Sequence, residues 1–316
     1  MTADDAILFA LGSINLDLQV RADRWPGPGE TLQVRDLLRT GGGKAANRAF
    51  LARRLGARAC LIGHVGDDDL GEEALRGPRD VGVDLSHVTR VAGQATALAM
   101  IVVRADGDKT ILLAANANDA WSGADAEAVA QVLAAAPAGS VLTVDLEVPT
   151  AVVLAAVGAA RARGLQVVLD PSPADRMPEA LYGMIDVITP NPGEARALVG
   201  VAVEREEDAV RAGEELLARG VKIACVKLPD GGAALVSADR REIVAPLAVR
   251  VVDKTGAGDA FAGALGVALL ERQALAQAVK FAVAASSLAV TGYGSQASYP
   301  DRGRLERARA GRERRG

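Results

Sequence analysis

The chain has 316 residues, 50% of them hydrophobic, and a formal net charge of −4 at pH 7. This length and apolar content predict a large globular domain with a substantial core, and the charge gives no electrostatic basis for binding nucleic acid or a membrane surface. Aromatic residues make up only 3% of the chain, so stacking platforms for bases are scarce and we expect a small-molecule partner.

The cysteines and histidines indicate neither a disulfide nor a zinc site. Cys60 and Cys225 fall in apolar, strand-like runs, which suits buried thiols in a reducing compartment. His64 and His87 have no neighbouring cysteine and no HExxH motif, so a structural zinc site is not expected. The N-terminal apolar run is too short for a signal peptide, and no apolar segment approaches membrane-spanning length. We therefore expect a cytoplasmic protein.

The first predicted strand, residues 7–11, stops at the polar stretch GSINLD, residues 12–17. In open α/β sheets ligands bind beyond the carboxyl ends of the strands, which makes Asn15 and Asp17 candidate ligand contacts. An ordinary turn, in which both side chains bond their own backbone, explains this stretch equally well. A Pro- and Gly-rich loop then leads into an exposed strand predicted at residues 31–40.

The stretch GGGKAAN, residues 41–47, opens a helix expected to end near Leu55. Its glycines form a candidate cradle for an anion or a hydroxyl group. It is not a P-loop, because the first glycine of that motif is missing and Ala45 stands where Ser or Thr would hold magnesium. Lys44 and Asn47 are three residues apart and so share a helix face, although solvated surface positions would also explain them.

Regular alternation of helices and strands follows. After a strand at 59–63 and a β-hairpin at 98–114, the pattern predicts helices at 123–136, 149–163 and 204–219 and strands at 140–145, 165–170, 185–189, 222–228 and 233–237. This alternation predicts an α/β fold with a doubly wound, mostly parallel sheet. The antiparallel segments near 31–40 and 98–114 are interpreted as a small β-sheet lid that excludes water. Polar residues at the strand ends are expected to meet at one sheet edge: Asp145, Glu147, Asp170, Ser172, Asn191 and Glu194.

The stretch VVDKTGAGDAFAGA, residues 251–264, combines a predicted strand end at Val249–Val252, a glycine-rich turn and an apolar helix. Gly256 and Gly258 let backbone N–H groups converge at the helix N-terminus, which favours an anion. A bound phosphate would repel Asp259, so its place there indicates a base that takes a proton from an attacking hydroxyl. A tight turn with Asp259 as a helix cap is the alternative.

A long helix is predicted at 274–290, and no repeat or linker divides the chain. The segment from Asp301 contains seven arginines among three acids, a composition typical of a frayed helix or a disordered end. We therefore expect one domain over residues 1–300 and a charged tail at 301–316.

Taken together and in order, these segments resemble the ribokinase-like (PfkB) family of sugar and nucleoside kinases. The resemblance runs nearly end to end, and its closing segment is GSQAS at residues 294–298. The preceding segments are GSINLD at 12–17, GPGETL at 27–32, GGGKAAN at 41–47, AANAN at 114–118, DLEVP at 145–149, TPNPGEA at 189–195 and DKTGAGDAF at 253–261.

The resemblance implies Asp259 as the catalytic base, with Gly256, Ala257 and Gly258 as the anion hole for the transferred phosphoryl group. It implies ATP, Mg²⁺ and a monovalent cation such as K⁺ as cofactors, and a homodimer joined through the lid. Other roles follow by position: Asn15, Asp17, Gly42, Gly43, Lys44, Asn47 and Glu147 for the sugar; Asn191, Lys227, Gly232 and Thr255 for the nucleotide; Glu194 for Mg²⁺ through water; and Asp253, Thr255 and Ser298 for the monovalent cation.

The implied reaction is transfer of the γ-phosphate of ATP to the 5-hydroxyl of D-ribose. Fructokinase, 2-keto-3-deoxygluconate kinase and adenosine kinase activities within the family, or a non-catalytic sugar-binding protein of the same fold, are the alternatives. Three positions depart from the family pattern and affect nucleotide preference. Pro229 removes a backbone donor from a turn, Val283 stands where relatives carry Asn or His, and Lys254 is expected to point to solvent.

Overall fold

The computed structural model describes residues 5–313. Residues 1–4, at the start of the segment considered for a signal peptide, and residues 314–316 of the Arg-rich tail lie outside the described part. The strands are β1 (Leu8–Leu11), β2 (Asn15–Arg21), β3 (Arg35–Gly42), β4 (Ala59–Gly66), β5 (Asp84–Val91), β6 (Ala97–Val103), β7 (Lys109–Ala114), β8 (Val141–Val144), β9 (Gln166–Leu169), β10 (Val187–Ile188), β11 (Ile223–Lys227), β12 (Ala233–Ser237) and β13 (Arg240–Val244). The helices are α1 (Lys44–Arg54), α2 (Asp69–Asp80), α3 (Gly123–Ala134), α4 (Thr150–Ala162), α5 (Glu179–Tyr182), α6 (Pro192–Val199), α7 (Glu206–Ala218), α8 (Ala257–Leu270), α9 (Leu275–Ala289) and α10 (Arg302–Glu313).

Over residues 5–313 the strands form one sheet of nine and one of four. The large sheet has the order β13-β12-β11-β10-β9-β8-β1-β4-β5, and the strands from β11 to β5 run parallel. Strands β12 and β13 are antiparallel and complete one edge. The predicted α/β fold with a mostly parallel sheet is therefore confirmed.

Helices cover both faces of the large sheet. Along β1, Leu8 and Ala10 enter the apolar cluster formed with α1, α8 and α9, while Phe9 and Leu11 enter the cluster formed with α3, α4 and α7. Successive side chains of a strand point to opposite faces, so a strand buried on both sides reads as a continuous apolar run. This burial fixes the position of the carboxyl ends of the strands, where the polar side chains lie.

The small sheet has the order β3-β2-β6-β7 and is the predicted lid. Asn15 pairs with Ala97 and Asp17 with Ala99 across β2 and β6, so these side chains share the inner face of the lid. Strand β2 was not predicted. Its sequence, NLDLQVR, alternates polar and apolar residues, which places the polar ones toward the large sheet and the apolar ones away from it.

Several predicted boundaries are wrong. The lid strand β3 begins at Arg35, so residues 31–34 are not part of it, and Val249–Val252 is not a strand. The N–H group of Val252 donates to the carbonyl of Val290, just beyond α9, at 2.8 Å, so this segment is tied to a helix end instead of to a sheet. Strands β5 and β13 were missed because they are edge strands with many exposed residues, which weakens the apolar pattern.

Over residues 302–313 the charged tail is a packed helix and not the frayed or disordered end that composition predicted. Leu305 of α10 is fully buried in the cluster that contains α9. The guanidinium groups of Arg302 and Arg309 lie 5.0 and 5.3 Å from the centre of the Phe281 ring, and Arg302 also donates to the carbonyl of Leu55 at 2.9 Å. Arginine stems cover apolar surface while their charged heads stay hydrated, so an Arg-rich helix can dock.

Candidate active site

A cavity of about 630 Å³ lies between the lid and the carboxyl edge of the large sheet. Apolar side chains of the lid form one wall, among them Ala99, Ile101, Ile111 and Leu113. Fifteen of the predicted site residues line it: Asn15, Asp17, Gly43, Lys44, Asn47, Glu147, Asn191, Glu194, Lys227, Gly232, Thr255, Gly256, Ala257, Gly258 and Asp259. Gly42, Asp253 and Ser298 lie outside this lining.

Asp259 stands in the first turn of α8 and is only 7% exposed. Its Oδ2 atom accepts a hydrogen bond of 2.8 Å from the Asn47 side-chain amide, which comes from α1. Asn47 is oriented in turn by Gln296, whose amide donates to Asn47 Oδ1 at 3.1 Å. Asp259 is not the cap of α8, because the residue at the cap position is Gly256. The hydrogen bond from Asn47 thus orients Oδ2 of Asp259, and the carboxylate faces the cavity.

The turn before α8 requires glycine at Gly256 for two reasons. Its φ of 72° is in the left-handed region, and a Cβ there would lie 2.5 Å from the Tyr299 hydroxyl. That hydroxyl donates to the Gly256 carbonyl at 2.8 Å and fixes the turn. The first N–H groups of a helix have no carbonyl partner within it, so those of Gly258 and Asp259 are available at the N-terminus. The turn can therefore receive an anion beside a carboxylate.

The lid side of the cavity is polar at β2. Asn15 and Asp17 are 5% and 4% exposed, and Asn15 Oδ1 accepts 2.8 Å from the amide of Asn118. Burial raises the pKa of Asp17 to about 8, and the charges of Asp259 and Glu147 act in the same direction. Gly42 is required here because a Cβ would lie 2.1 Å from Asp17 Oδ2. Asp17 is thus poised to carry a proton near neutral pH.

Lys44 and Glu147 face each other across the cavity floor, with 3.8 Å between Nζ and Oε1. Burial raises the pKa of Glu147 to about 7, although the charge of Lys44 opposes this. Beneath them, Arg48 and Asp145 form a fully buried ion pair of 2.7 Å. Asp145 Oδ1 also accepts from the Glu147 N–H group at 3.0 Å, so this pair positions the Glu147 backbone.

The opposite end of the cavity presents Asn191 and Glu194. They form a reciprocal capping box at the start of α6, with bonds of 2.9 Å from Glu194 N to Asn191 Oδ1 and 2.8 Å from Asn191 N to Glu194 Oε2. Lys227 ends β11 and lies 3.5 Å from Asp170 Oδ1. Gly232 closes a turn by donating to Asp230 Oδ1 at 2.8 Å. Val283, in contrast, is fully buried in the core and does not line the cavity.

Asp253 organises the loop before α8 from beneath the cavity. Its Oδ1 accepts from Thr255 N at 2.8 Å, and its Oδ2 accepts from the Gln19 amide at 2.7 Å and from Gly294 N at 2.9 Å. Nearby hydroxyl groups are less well satisfied. Within the described residues, Thr255 Oγ1, Ser295 Oγ and Ser298 Oγ are buried without a hydrogen-bond partner. No group of three or more His, Cys, Asp or Glu side chains over residues 5–313 is arranged to hold a metal by itself.

Sequence reasoning missed some residues of the site and some contacts of another. Gln296 and Lys109 were not singled out, although Gln296 lies in the closing segment that resembles the family. Lys254, expected to point to solvent, is 45% exposed, and it also borders the cavity and forms a 2.7 Å ion pair with Asp108 of the lid. Only the fold brings these positions together, since 146 residues separate the two partners.

A protein-family model described as pfkB family carbohydrate kinase matches residues 6–302. The chain belongs to this family. A ribokinase of Haemophilus influenzae is 35% identical over 93% of this chain and 95% of its own length, and a deoxyribokinase of Salmonella typhi is 30% identical over 93% and 95%. The structure of an Arabidopsis thaliana ribokinase complexed with ribose and ATP aligns with a TM-score of 0.82 at 30% identity, covering 96% of this chain and 98% of that one.

These findings confirm the resemblance to the pfkB family, the fold class and the carbohydrate-kinase activity that the motifs implied. Over residues 5–313, no helix combines the length and the apolar character needed to span a membrane.

Proposed function

We propose that this pfkB family member is an ATP-dependent ribokinase that transfers the γ-phosphoryl group of ATP to the 5-hydroxyl of D-ribose. The observation that carries the proposal is the position of Asp259. It stands at the N-terminus of α8, directly behind a glycine turn suited to an anion, in a cavity with carboxylates and amides on one side and Lys227 on the other. The named relatives, which include ribokinases of Haemophilus influenzae and Arabidopsis thaliana, support the choice of sugar.

The proposed base is Asp259, which accepts the proton of the attacking hydroxyl. Asn47 orients it by donating to Oδ2, so Oδ1 is the oxygen that takes the proton. The turn formed by Gly256, Ala257 and Gly258 is proposed to stabilise the charge on the moving phosphoryl group through the N–H groups at the start of α8 that have no partner within the helix, since donors fixed before the reaction need no reorganisation during it. The sugar hydroxyls would be held by Asn15, Asp17, Gly43, Lys44, Asn47 and Glu147, and Gly42, predicted for the same role, would instead leave room for the Asp17 side chain.

The nucleotide is proposed to lie toward Asn191, Lys227, Gly232 and Thr255. The Lys227 ammonium lies close to Gly258, since a Cβ built on that glycine would be 3.2 Å from Lys227 Nζ. This cation would offset the negative charge of the nucleotide phosphates. Pro229 lines the same end and offers no backbone donor, so we expect the adenine to be held mainly by apolar contacts.

Two ions complete the proposal. Mg²⁺ would be held by ATP phosphates and by Glu194 through water, as this ion keeps several of its waters. The buried hydroxyl groups of Thr255 and Ser298, which lack partners within the described residues, suit a monovalent cation beside Asp253. Such a cation would supply positive charge next to the turn formed by residues 256–258, which we call the anion turn.

Assembly and location are proposed on other grounds. The outer face of the lid carries Leu37, Met100 and Leu112 at 72%, 44% and 60% exposure, which supports a homodimer joined lid to lid. The two free cysteines are buried, which agrees with a reducing cytoplasm. The division into a kinase domain over residues 1–300 and a tail stays a prediction, although α10 packs on the domain.

The proposed reaction is tested by ATP-dependent phosphorylation of D-ribose, 2-deoxy-D-ribose, fructose, 2-keto-3-deoxygluconate and adenosine. We expect ribose to give the highest kcat/KM, and Asp259→Asn to lower kcat by about 10²–10⁴ while ribose binding is retained. 2-Deoxy-D-ribose is included because of the deoxyribokinase relative. Preference for any other acceptor would replace ribose as the substrate, and unchanged turnover in Asp259→Asn would remove Asp259 from its role.

A further inference from the structure

The turn between lid strands β6 and β7 touches the loop that precedes α8 at three points. The Lys254 ammonium lies 2.7 Å from Asp108 Oδ1, the Lys254 N–H group donates to the Gly107 carbonyl at 3.1 Å, and the Lys109 ammonium donates to the Lys254 carbonyl at 3.0 Å. We call these four residues, Gly107, Asp108, Lys109 and Lys254, the lid clasp.

We propose that Lys254 and Lys109 are positioning residues that couple closure of the lid to the geometry of the anion turn. The inference rests on the proposed phosphoryl transfer, since it assigns a role at the same site. It explains why a lysine stands next to a turn that must receive phosphate.

The lid turn is shaped to reach this loop. Gly107 has a φ of 78°, and a Cβ there would lie 3.1 Å from Val251 Cγ1, so the position combines a left-handed backbone with a close approach. Arg104 holds the turn from its other side, with 2.7 Å to Asp106 Oδ2 and 3.4 Å to Asp108 Oδ2. Asp108 therefore presents one oxygen to Arg104 and the other to Lys254.

The register of β7 directs Lys109 into the cavity. Lys109 pairs with Val103 of β6. Every second residue of a strand points to the same face, so Lys109 lies on the cavity face of β7 together with Ile111 and Leu113. Burial lowers the pKa of Lys109, while the carboxylates of Asp259, Asp253 and Asp17 act against this and Lys44 adds to it. The Lys109 ammonium therefore lies at the Lys254 carbonyl, close enough to Asp259 for the two charges to interact.

The Lys254 carbonyl links the clasp to the anion turn. It accepts from Lys109 and also from the Ala257 N–H group at 3.3 Å, and Ala257 opens α8. Movement of the lid turn would therefore be transmitted through one peptide group to the helix N-terminus. The ion pair itself is weak, because Lys254 and Asp108 are 45% and 51% exposed, so the clasp can open for substrate exchange.

The first test uses Lys254→Met, Asp108→Asn and the double variant, with Lys222→Met as the control. Lys222 also forms an ion pair, 2.6 Å from Asp186, but does not line the cavity. We expect each single variant to lower kcat/KM for ribose by about two- to five-fold, the size of one exposed ion pair, and to release more ADP than sugar phosphate as water enters.

Because both residues act through one contact, the double variant should be no worse than the more impaired single variant. The role of the ion pair would be overturned if the losses of kcat/KM in the two single variants multiplied in the double variant. It would also be overturned if the single variants released ADP and sugar phosphate in the same ratio as Lys222→Met. For Lys109, we expect Lys109→Met to lower kcat on the order of tenfold with a smaller change in KM, and Lys109→Arg to restore most of it. An equal loss of kcat in Lys109→Met and Lys109→Arg would show that the positive charge of Lys109 has no role in the reaction.

Hydrogen exchange separates this inference from the proposed activity. In the ligand-free protein, the N–H group of Lys254 should exchange faster in Asp108→Asn than in the wild type or in Lys222→Met. This result does not depend on which sugar is phosphorylated. If exchange is faster in Asp108→Asn but the wild type does not phosphorylate ribose, the proposed substrate is contradicted and the lid clasp is supported. If the wild type phosphorylates ribose but exchange is unchanged in Asp108→Asn, the lid clasp is contradicted.

Discussion

Asp17 shows how a single residue departs from its ordinary chemistry when the fold buries it. It lies in β2 at 4% exposure, close to Gly42 and facing the carboxylates of Asp259 and Glu147. Burial and these charges together disfavour its ionised form, which raises its pKa to about 8. The neutral acid can donate a hydrogen bond to a sugar oxygen, and the carboxylate can only accept one.

The raised pKa of Asp17 predicts a stability that falls as pH rises. Between its unfolded pKa of about 3.9 and its folded pKa of about 8, the folded state binds the extra proton, so each pH unit reduces the free energy of unfolding by at most about 1.4 kcal/mol. Asn cannot ionise. We therefore expect the wild type to lose about 1–3 kcal/mol relative to Asp17→Asn between about pH 5.5 and about pH 8.

Urea denaturation of the two proteins at both pH values measures this difference. The subtraction cancels other groups that titrate in the same range, such as Glu147 and His64, to the extent that the substitution leaves their pKa values unchanged. If the free energy of unfolding fell by the same amount in both proteins as the pH rises, Asp17 would titrate as an ordinary carboxyl group.

At the scale of elements, α10 shows why composition misled the prediction. Seven arginines in sixteen residues resemble a solvated tail, but one apolar residue, Leu305, is enough to anchor the helix when long cationic side chains cover Phe281. Periodicity over twelve residues with one buried leucine is too weak to be read from a single sequence. The partner surface on α9 is known only once the fold is formed.

Leu305→Ala tests whether α10 is part of the folded unit. Truncating a fully buried leucine removes its transfer free energy and leaves a cavity, so we expect a loss of about 2–5 kcal/mol in the free energy of unfolding. Arg307→Ala is the control, because Arg307 is an exposed position of the same helix and should change stability little. Chemical denaturation of both variants measures the difference, and equal stability would mean that α10 docks without contributing to the domain.

At the scale of the whole molecule, the sequence predicted the large sheet better than the site built on it. The alternation from residue 123 to residue 237 depends on local periodicity, and the predicted elements lie within a few residues of β8 to β12 and of α3, α4 and α7, whereas the short helices α5 and α6 were not predicted. The contacts of Asp259 with Asn47, and of Asn47 with Gln296, join residues 212 and 249 positions apart. No local pattern contains such contacts, so the motif resemblance identified Asp259 but not the side chains that orient it.

The lid also shows what local patterns cannot predict. Asn15 and Asp17 were expected just beyond the end of β1. They lie within β2, because the chain leaves β1 at Gly12 and then enters the lid sheet. The alternation in β2 that sends these polar side chains inward also sends Leu18 and Val20 outward, together with Met100 of β6. The outer face of the lid is therefore apolar as a consequence of the same register that places Asn15 and Asp17 in the cavity.

That apolar outer face leads to the prediction about assembly. Met100 and Leu112 pair across β6 and β7 at 44% and 60% exposure, and an apolar patch on a sheet face favours burial against a second copy. We expect the wild type to be a dimer by light scattering after size-exclusion chromatography, and Leu112→Lys to be monomeric, because two buried lysines would face each other across a two-fold interface. Ala218→Lys adds the same charge on an exposed position of α7 and should stay dimeric. A monomeric wild type, or a dimer that survives Leu112→Lys, would place the subunit contact elsewhere or remove it.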